Sequence, residues 1–150
     1  MVAARYLGIR ILQAEIRKNE PHDSTDKDWV GSVRCMTEGV VASKIEVVAV
    51  AGLVAEACWD GEIFEQLYED LKSDPEKMSQ SDWDISGCPS GEPSEQFWDA
   101  MEQAFELLNR ETGKLWNALL LEARGLIVRS RQDAALFMHP MKGGSSGPAP

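Results

Sequence analysis

The sequence predicts an α+β fold that is mostly helical, with one small β-hairpin and a helical core. Three observations support this class: an apolar segment of helix length, Ile45 to Trp59; a short alternating pattern before it; and helical apolar spacing in the last third. A chain of 150 residues with 43% hydrophobic content and five Trp suits one domain with a sizeable core. We expect this domain to cover residues 1–140, and residues 141–150 to form a flexible tail.

The elements before the apolar segment are short. Residues 2–7 resemble the end of a helix that Gly8 terminates, so the chain is expected to begin inside an element. Extended stretches around residues 11–16 and 32–35 predict two short strands. They flank a polar loop from Lys18 to Trp29.

The apolar segment has helix signals at both ends. Ser43 and Glu46 form the pattern of a capping box, and Asp60-Gly61 supplies a left-handed stop. Because this helix is apolar on nearly all sides, we expect it to cross the centre of the domain. At about 15 residues it is too short to span a bilayer.

The rest of the chain is predicted to be helical with one long loop. A short helix with one apolar face ends before Pro75, and a loop-rich stretch runs from Ser73 to Pro93. Ser94 is a predicted N-cap, and the helical spacing after it indicates one long helix bent at Gly113, or two helices. The Trp and Phe side chains of this region are expected in the core, with a partner surface as the alternative.

Charge and cysteine content exclude several functions. The net charge of −10, with no basic stripe, argues against nucleic acid and anionic membranes as partners. Cys35, Cys58 and Cys88 form no paired motif, which favours reduced thiols and, without a signal peptide, a cytoplasmic location. A cysteine protease is not supported, since no His is placed to activate a thiol.

Two acidic positions are candidates for chemistry. Glu56 lies within the apolar segment, where a carboxylate needs a partner: it caps a neighbouring loop, pairs with an arginine such as Arg5 or Arg34, or supports a metal site. Asp82, in the motif Ser-Asp-Trp-Asp, is either a metal ligand or an N-cap or Asx-turn residue, and Asp84 is the second choice as ligand.

Neither of the two histidines is expected to form a functional site. His22 stands among Asp23, Asp26 and Asp28, where a solvated loop is favoured over a metal site. His139 beside Pro140 is not expected to act either.

Taken in order, these features resemble the peptidase domain of FtsH-type zinc metalloproteases and their shorter, ATPase-free relatives. An Ala-Gly-x-x-Ala-Glu helix of that family matches Ala51, Gly52, Ala55 and Glu56. The family's third zinc ligand is an Asp in an Asn/Ser-Asp-apolar motif, which Asp82 resembles best and Asp84 second. The resemblance covers roughly residues 2–130.

The resemblance also defines what this sequence lacks. In the family, a His-Glu-x-x-His helix supplies two zinc ligands and the general base, and residues 2–8 resemble the run that follows it. The 150 residues contain no such motif, and the second His would fall just before Met1. The resemblance therefore implies zinc peptidase ancestry, with Asp82 as metal ligand and Glu56 as its support, but no catalytic residue and no zinc held by this chain alone.

Three hypotheses follow for function. The first is an FtsH-type zinc metallopeptidase-like protein that is inactive because its sequence lacks the His-Glu-x-x-His motif. The second is a non-enzymatic module on the same scaffold that binds a protein or peptide. The third is an acidic helical adaptor unrelated to peptidases. A solvent-facing Glu56 far from Asp82 would favour the third, and the oligomeric state is open.

Overall fold

The computed structural model describes residues 1–18 and 29–129. Over these residues the fold is α+β and mostly helical, with one two-stranded antiparallel hairpin, which confirms the predicted class. Predictions for His22 and the rest of its loop, for His139 and for the tail at 141–150 lie outside the described residues. The elements are α1 (Val2–Tyr6), β1 (Ile11–Lys18), β2 (Trp29–Cys35), α2 (Ala42–Trp59), α3 (Phe64–Ser73), a 3₁₀ turn (Pro75–Lys77), α4 (Gln80–Ile85), α5 (Glu95–Leu108) and α6 (helical residues 116–129).

The first helix and the hairpin are where the sequence predicted them. The backbone of Gly8 has a φ of 75°, which turns the chain out of α1. The strands pair from Ile11 opposite Cys35 to Lys18 opposite Trp29, with an irregularity between Ile11 and Gln13. Described side chains in the hairpin are all exposed or half-buried.

Helix α2 is the centre of the helical core. It packs against α1, α4 and α5, and its fully buried side chains include Val47, Val50 and Val54. One side of the helix faces solvent, where Gly52, Glu56 and Trp59 are exposed. The expectation of a helix buried on nearly all sides is therefore wrong for this side.

The two ends of α2 differ in how well the sequence predicted them. The C-terminal stop is confirmed, because Gly61 has a φ of 78° and the Glu62 amide donates to the Ala57 carbonyl at 2.8 Å. The prediction of a capping box at the N-terminus is wrong. The helix begins at Ala42 with Val41 as its N-cap and no side-chain cap, which places Ser43 inside the first turn.

The stretch from Ser73 to Pro93 is more ordered than the predicted loop. It contains the 3₁₀ turn and α4, so the Ser-Asp-Trp-Asp motif is helical. Trp83 is buried, and its indole Nε1 donates to the Pro75 carbonyl at 2.9 Å. The segment is held by a few buried side chains too widely spaced to show a helical pattern in the sequence: Met78, Trp83 and Cys88.

Up to residue 129, the last third contains two helices. Ser94 caps α5 as predicted, since its Oγ accepts from the Phe97 amide at 3.2 Å. The chain turns between Asn109 and Leu115, and the Leu115 amide then donates to the Leu107 carbonyl at 2.9 Å. The predicted apolar stripe is largely core; its buried members on α5 are Phe97, Met101, Phe105 and Leu108.

Candidate functional site

The first turn of α4 places Asp82 next to the residue that begins the helix. Ser79 is the N-cap, and its Oγ accepts a hydrogen bond from the Asp82 amide at 3.1 Å. The same hydroxyl donates to Asp82 Oδ2 at 2.9 Å. Ser79 therefore has the N-cap role that the sequence allowed for Asp82. Asp82 is the acidic residue three positions after this cap.

The environment of Asp82 is unusual for a carboxylate. The side chain is half-buried beside the buried Trp83. This burial raises the pKa of the Asp82 carboxyl above its ordinary value, and the hydrogen bond from Ser79 only partly opposes that effect. Within the described residues no cationic side chain contributes to this pKa. Asp82 is therefore a partly desolvated carboxylate, which a cation would stabilise in its charged form.

Asp84 has a different setting. It is exposed, and its Oδ1 accepts from the side-chain amide of Gln80 at 2.9 Å. The same amide donates to the Pro89 carbonyl at 2.8 Å. Asp84 thus orients a side chain that ties α4 to the segment following it.

Glu56 does not occupy the buried position that the sequence suggested. It is exposed on the solvent side of α2, so its carboxylate does not need a partner to offset burial. Arg5, one of its predicted partners, forms an ion pair with Glu122 instead. Because α2 and α4 pack against each other, the helices bearing Glu56 and Asp82 are in contact, and the supporting role of Glu56 stays a prediction.

The donor set does not by itself fit a zinc ion. Within residues 1–18 and 29–129, no three His, Cys, Asp or Glu side chains are grouped to hold a metal. Cys58 and Cys88 are buried, as expected for Cys58, and burial raises the pKa of the Cys58 thiol. Asp82 stays a predicted metal ligand.

Two surface features were not singled out in the sequence. A cavity of about 580 Å³ lies between α1 and α6; it is lined by Val2, Arg5, Tyr6, Leu115, Ala118, Leu121, Glu122, Gly125 and Arg129. The second feature is a ring pair, Trp59 and Trp116, with centroids 6.3 Å apart. Both join residues more than 50 positions apart, which no local spacing reveals.

Comparison with known proteins identifies no family. No family model matches the chain, and no curated protein matches it significantly. Among the helices of the described part, none combines the length and apolarity needed to cross a membrane.

Proposed function

We propose that this chain is the scaffold of an FtsH-type zinc metallopeptidase domain, with Asp82 as the metal ligand that it retains. The observation that carries the proposal is the half-buried Asp82 carboxylate, whose raised pKa reflects burial without a cation. The proposal is also supported by the element order, in which a short helix, a hairpin, a central helix and the Asp82 helix follow one another.

Helix packing adds support. Both α1 and α4 contact α2, so the segment that resembles the run after the family's His-Glu-x-x-His motif and the segment that bears Asp82 share one partner. In the family, the first helix supplies the two His ligands and the third comes from the Asp motif. A shared central helix is a means of fixing two such segments relative to each other.

The ligand requirement of hydrolytic zinc limits the activity expected of these 150 residues by themselves. Hydrolytic zinc requires three protein ligands and an open position, and it then lowers the pKa of its bound water to roughly 7. The sequence lacks the two His and the Glu of His-Glu-x-x-His. A single carboxylate binds metal weakly, so we propose that this chain is without peptidase activity as written.

The test restores the missing residues. A helical segment with His-Glu-x-x-His is added directly before residue 2, in register with α1, and bound zinc is measured by elemental analysis after gel filtration. We expect one zinc per chain and cleavage of casein. The control protein carries the same added segment with Ala in place of both His. It shows how much zinc binds without the two histidines.

Two variants then examine Asp82 in the restored protein. Asp82→Asn keeps a side chain that accepts from Ser79, and we expect it to abolish stoichiometric zinc. Asp84→Asn changes an exposed carboxylate on the same helix and should leave zinc unchanged. No zinc uptake by the restored protein, or equal uptake by Asp82→Asn, would rule out the proposal.

A second candidate is a binding module for a protein or peptide, and one observation favours it. The Trp59 side chain is 64% exposed, although it stacks on Trp116. Arg110 lies over the Trp116 ring at 5.9 Å and donates to the Trp59 carbonyl at 3.2 Å. An exposed Trp ring that stacks on a half-buried one beside an arginine has the composition of a protein-contact surface.

Peptide selection tests this alternative. Peptides selected from a displayed random library against the immobilised protein should bind at least about tenfold more weakly to Trp59→Ala. Leu121→Ala, which alters another exposed apolar side chain, is the matched control. If no peptide is enriched, or if both variants bind equally, the Trp59 surface is not the binding site.

A further inference from the structure

The cavity between α1 and α6 combines apolar walls with a few polar groups. Its volume of about 580 Å³ lies within the range of ~300–1,000 Å³ that is usual for small-molecule sites in proteins. Its described apolar lining includes the buried Val2 and Leu115, the half-buried Ala118 and the exposed Leu121. These side chains are aliphatic, so the walls match an alkyl chain.

One ion pair in the lining is already formed. Arg5 of α1 pairs with Glu122 of α6, which is half-buried. Because each charge of this pair is matched by the other, the pair links the two helices at the cavity and leaves the sign of a ligand's charge to the other lining groups.

The remaining charged group of the described lining is positive. Arg129 lies one turn after Gly125 on α6, and its Nη1 atom would be 3.8 Å from a Cβ added at Gly125, so the guanidinium lies beside the cavity wall. The described ion pairs do not include Arg129. In a chain with a net charge of −10, a guanidinium at an apolar cavity favours an anionic ligand.

Tyr6 adds a neutral hydrogen-bond donor to the same cavity. The Nζ of Lys114 donates to the Tyr6 hydroxyl at 3.1 Å and lies 5.3 Å from the centroid of the ring. Because the hydroxyl oxygen accepts this bond, its own proton can be donated to a second acceptor. An ionised carboxylate has only acceptor oxygens, so it matches both the hydroxyl and the guanidinium.

We propose that the cavity between α1 and α6 binds an aliphatic monocarboxylate of the medium-chain fatty acid class. The alkyl chain lies against Val2, Leu115 and Ala118, and the carboxylate is directed toward Arg129 and the Tyr6 hydroxyl. One lining guanidinium outside an ion pair matches a single carboxylate. The proposal does not depend on the zinc site, because it uses no residue of α2 or α4, and its test involves no zinc.

Calorimetric titration of the full chain with sodium decanoate, below its micelle concentration, tests the ligand class. We expect one decanoate per chain, bound at least about tenfold more tightly than decyltrimethylammonium, which has the same alkyl chain and a positive charge. Arg129→Gln should weaken decanoate binding at least about fivefold. Arg124→Gln removes an exposed cation of α6 that is not among the described lining residues, and it should change binding by less than about twofold.

Filling the cavity tests the location. Gly125→Leu adds a side chain at a half-buried lining position, where the contact with Arg129 is at an ordinary distance, and leucine is the better helix former. This variant should fold and lose decanoate binding. Ala123→Leu adds similar bulk at an exposed position of α6 and should keep it.

Three results would overturn the proposal. The first is no decanoate binding, or binding no tighter than that of decyltrimethylammonium. The second is an equal effect of Gly125→Leu and Ala123→Leu. The third is a dimer in analytical ultracentrifugation that Gly125→Leu abolishes and decanoate does not dissociate, since a second copy of the chain would then be the occupant of the cavity.

Discussion

Two effects act on the Asp82 carboxylate in opposite directions. Its position in the first turn of α4 and the hydrogen bond from Ser79 favour the charged form, since helix N-termini stabilise negative charge. Burial disfavours that form and is the larger effect. The described structure therefore holds a carboxylate in a place where it reduces stability unless something else, such as a metal ion, offsets the burial.

The first prediction concerns the pH dependence that results. A raised pKa means that the folded state binds the proton more readily than the unfolded state, so the free energy of unfolding falls as the pH rises through this range. The decrease begins near the ordinary pKa of 3.8 and is complete above the raised pKa. Asp82→Asn lacks this decrease, so its stability relative to the unmodified protein should increase between pH 3 and pH 7.

Urea unfolding at several pH values measures this difference. Asp84→Asn is the control, because it removes an exposed carboxylate from the same helix. A relative stability of Asp82→Asn that is constant or decreases over the range would contradict the assignment of burial as the dominant effect.

At the scale of single elements, both helix ends predicted from glycine are confirmed, whereas only one of the two helix starts predicted from a serine is: Ser94 caps α5, and Ser43 does not cap α2. Gly8 and Gly61 both adopt positive φ and terminate α1 and α2 as expected. The pattern at Ser43 was misleading, because a serine followed by a glutamate three residues later occurs inside a first turn as well as at its start. Helix α4 was missed because six residues are too few to show periodicity.

Only part of the candidate site could be predicted, because the burial of a side chain depends on which other segments pack against its helix. Composition placed Glu56 within an apolar segment, but the side of the helix on which it lies depends on what packs there. Helices α1, α4 and α5 cover other sides of α2 and leave that of Glu56 in solvent. The motif at Asp82 was visible in the sequence, whereas its partial burial depends on the packing of Trp83.

The second prediction compares two serines that look alike in the sequence. Ser79→Ala removes the hydroxyl that caps α4 and should lower the free energy of unfolding by about 1 kcal/mol. Ser43→Ala changes a residue inside the first turn of α2 and should alter it by less than about 0.5 kcal/mol. Chemical denaturation measures both, with the exposed Ser81→Ala of α4 as a further control. Equal losses at positions 43 and 79 would support the capping box instead.

The third prediction compares a glycine within a helix with a glycine of positive φ. Gly52 is exposed within α2, and an added Cβ would meet nothing within 4 Å, so Gly52→Ala should stabilise the protein by about 0.5–1 kcal/mol. Gly61 has a φ of 78°, and Gly61→Ala should cost about 1 kcal/mol or more. Thermal and chemical unfolding measure both changes. Destabilisation by Gly52→Ala would show that the open side of α2 is covered in solution.

At the scale of the whole molecule, the helices share one core, and no described side chain of the hairpin belongs to it. The buried cluster takes side chains from α1, α2, α3, α4 and α5 and includes Leu115 just before α6. The described side chains of β1 and of residues 31–35 in β2 contribute none, and the two strands pair with each other. The molecule should therefore contain two parts that open with different free energies.

The fourth prediction is that hydrogen exchange separates these parts. At concentrations where the protein is monomeric, amides of α2 and α5 should exchange only by global unfolding, because these helices form the core, while amides of β1 should exchange by local opening and much faster. Mass spectrometry of peptides from each element measures the rates at several protein concentrations. Protection in β1 equal to that in α5 at the lowest concentration would show that the hairpin belongs to the cooperative core.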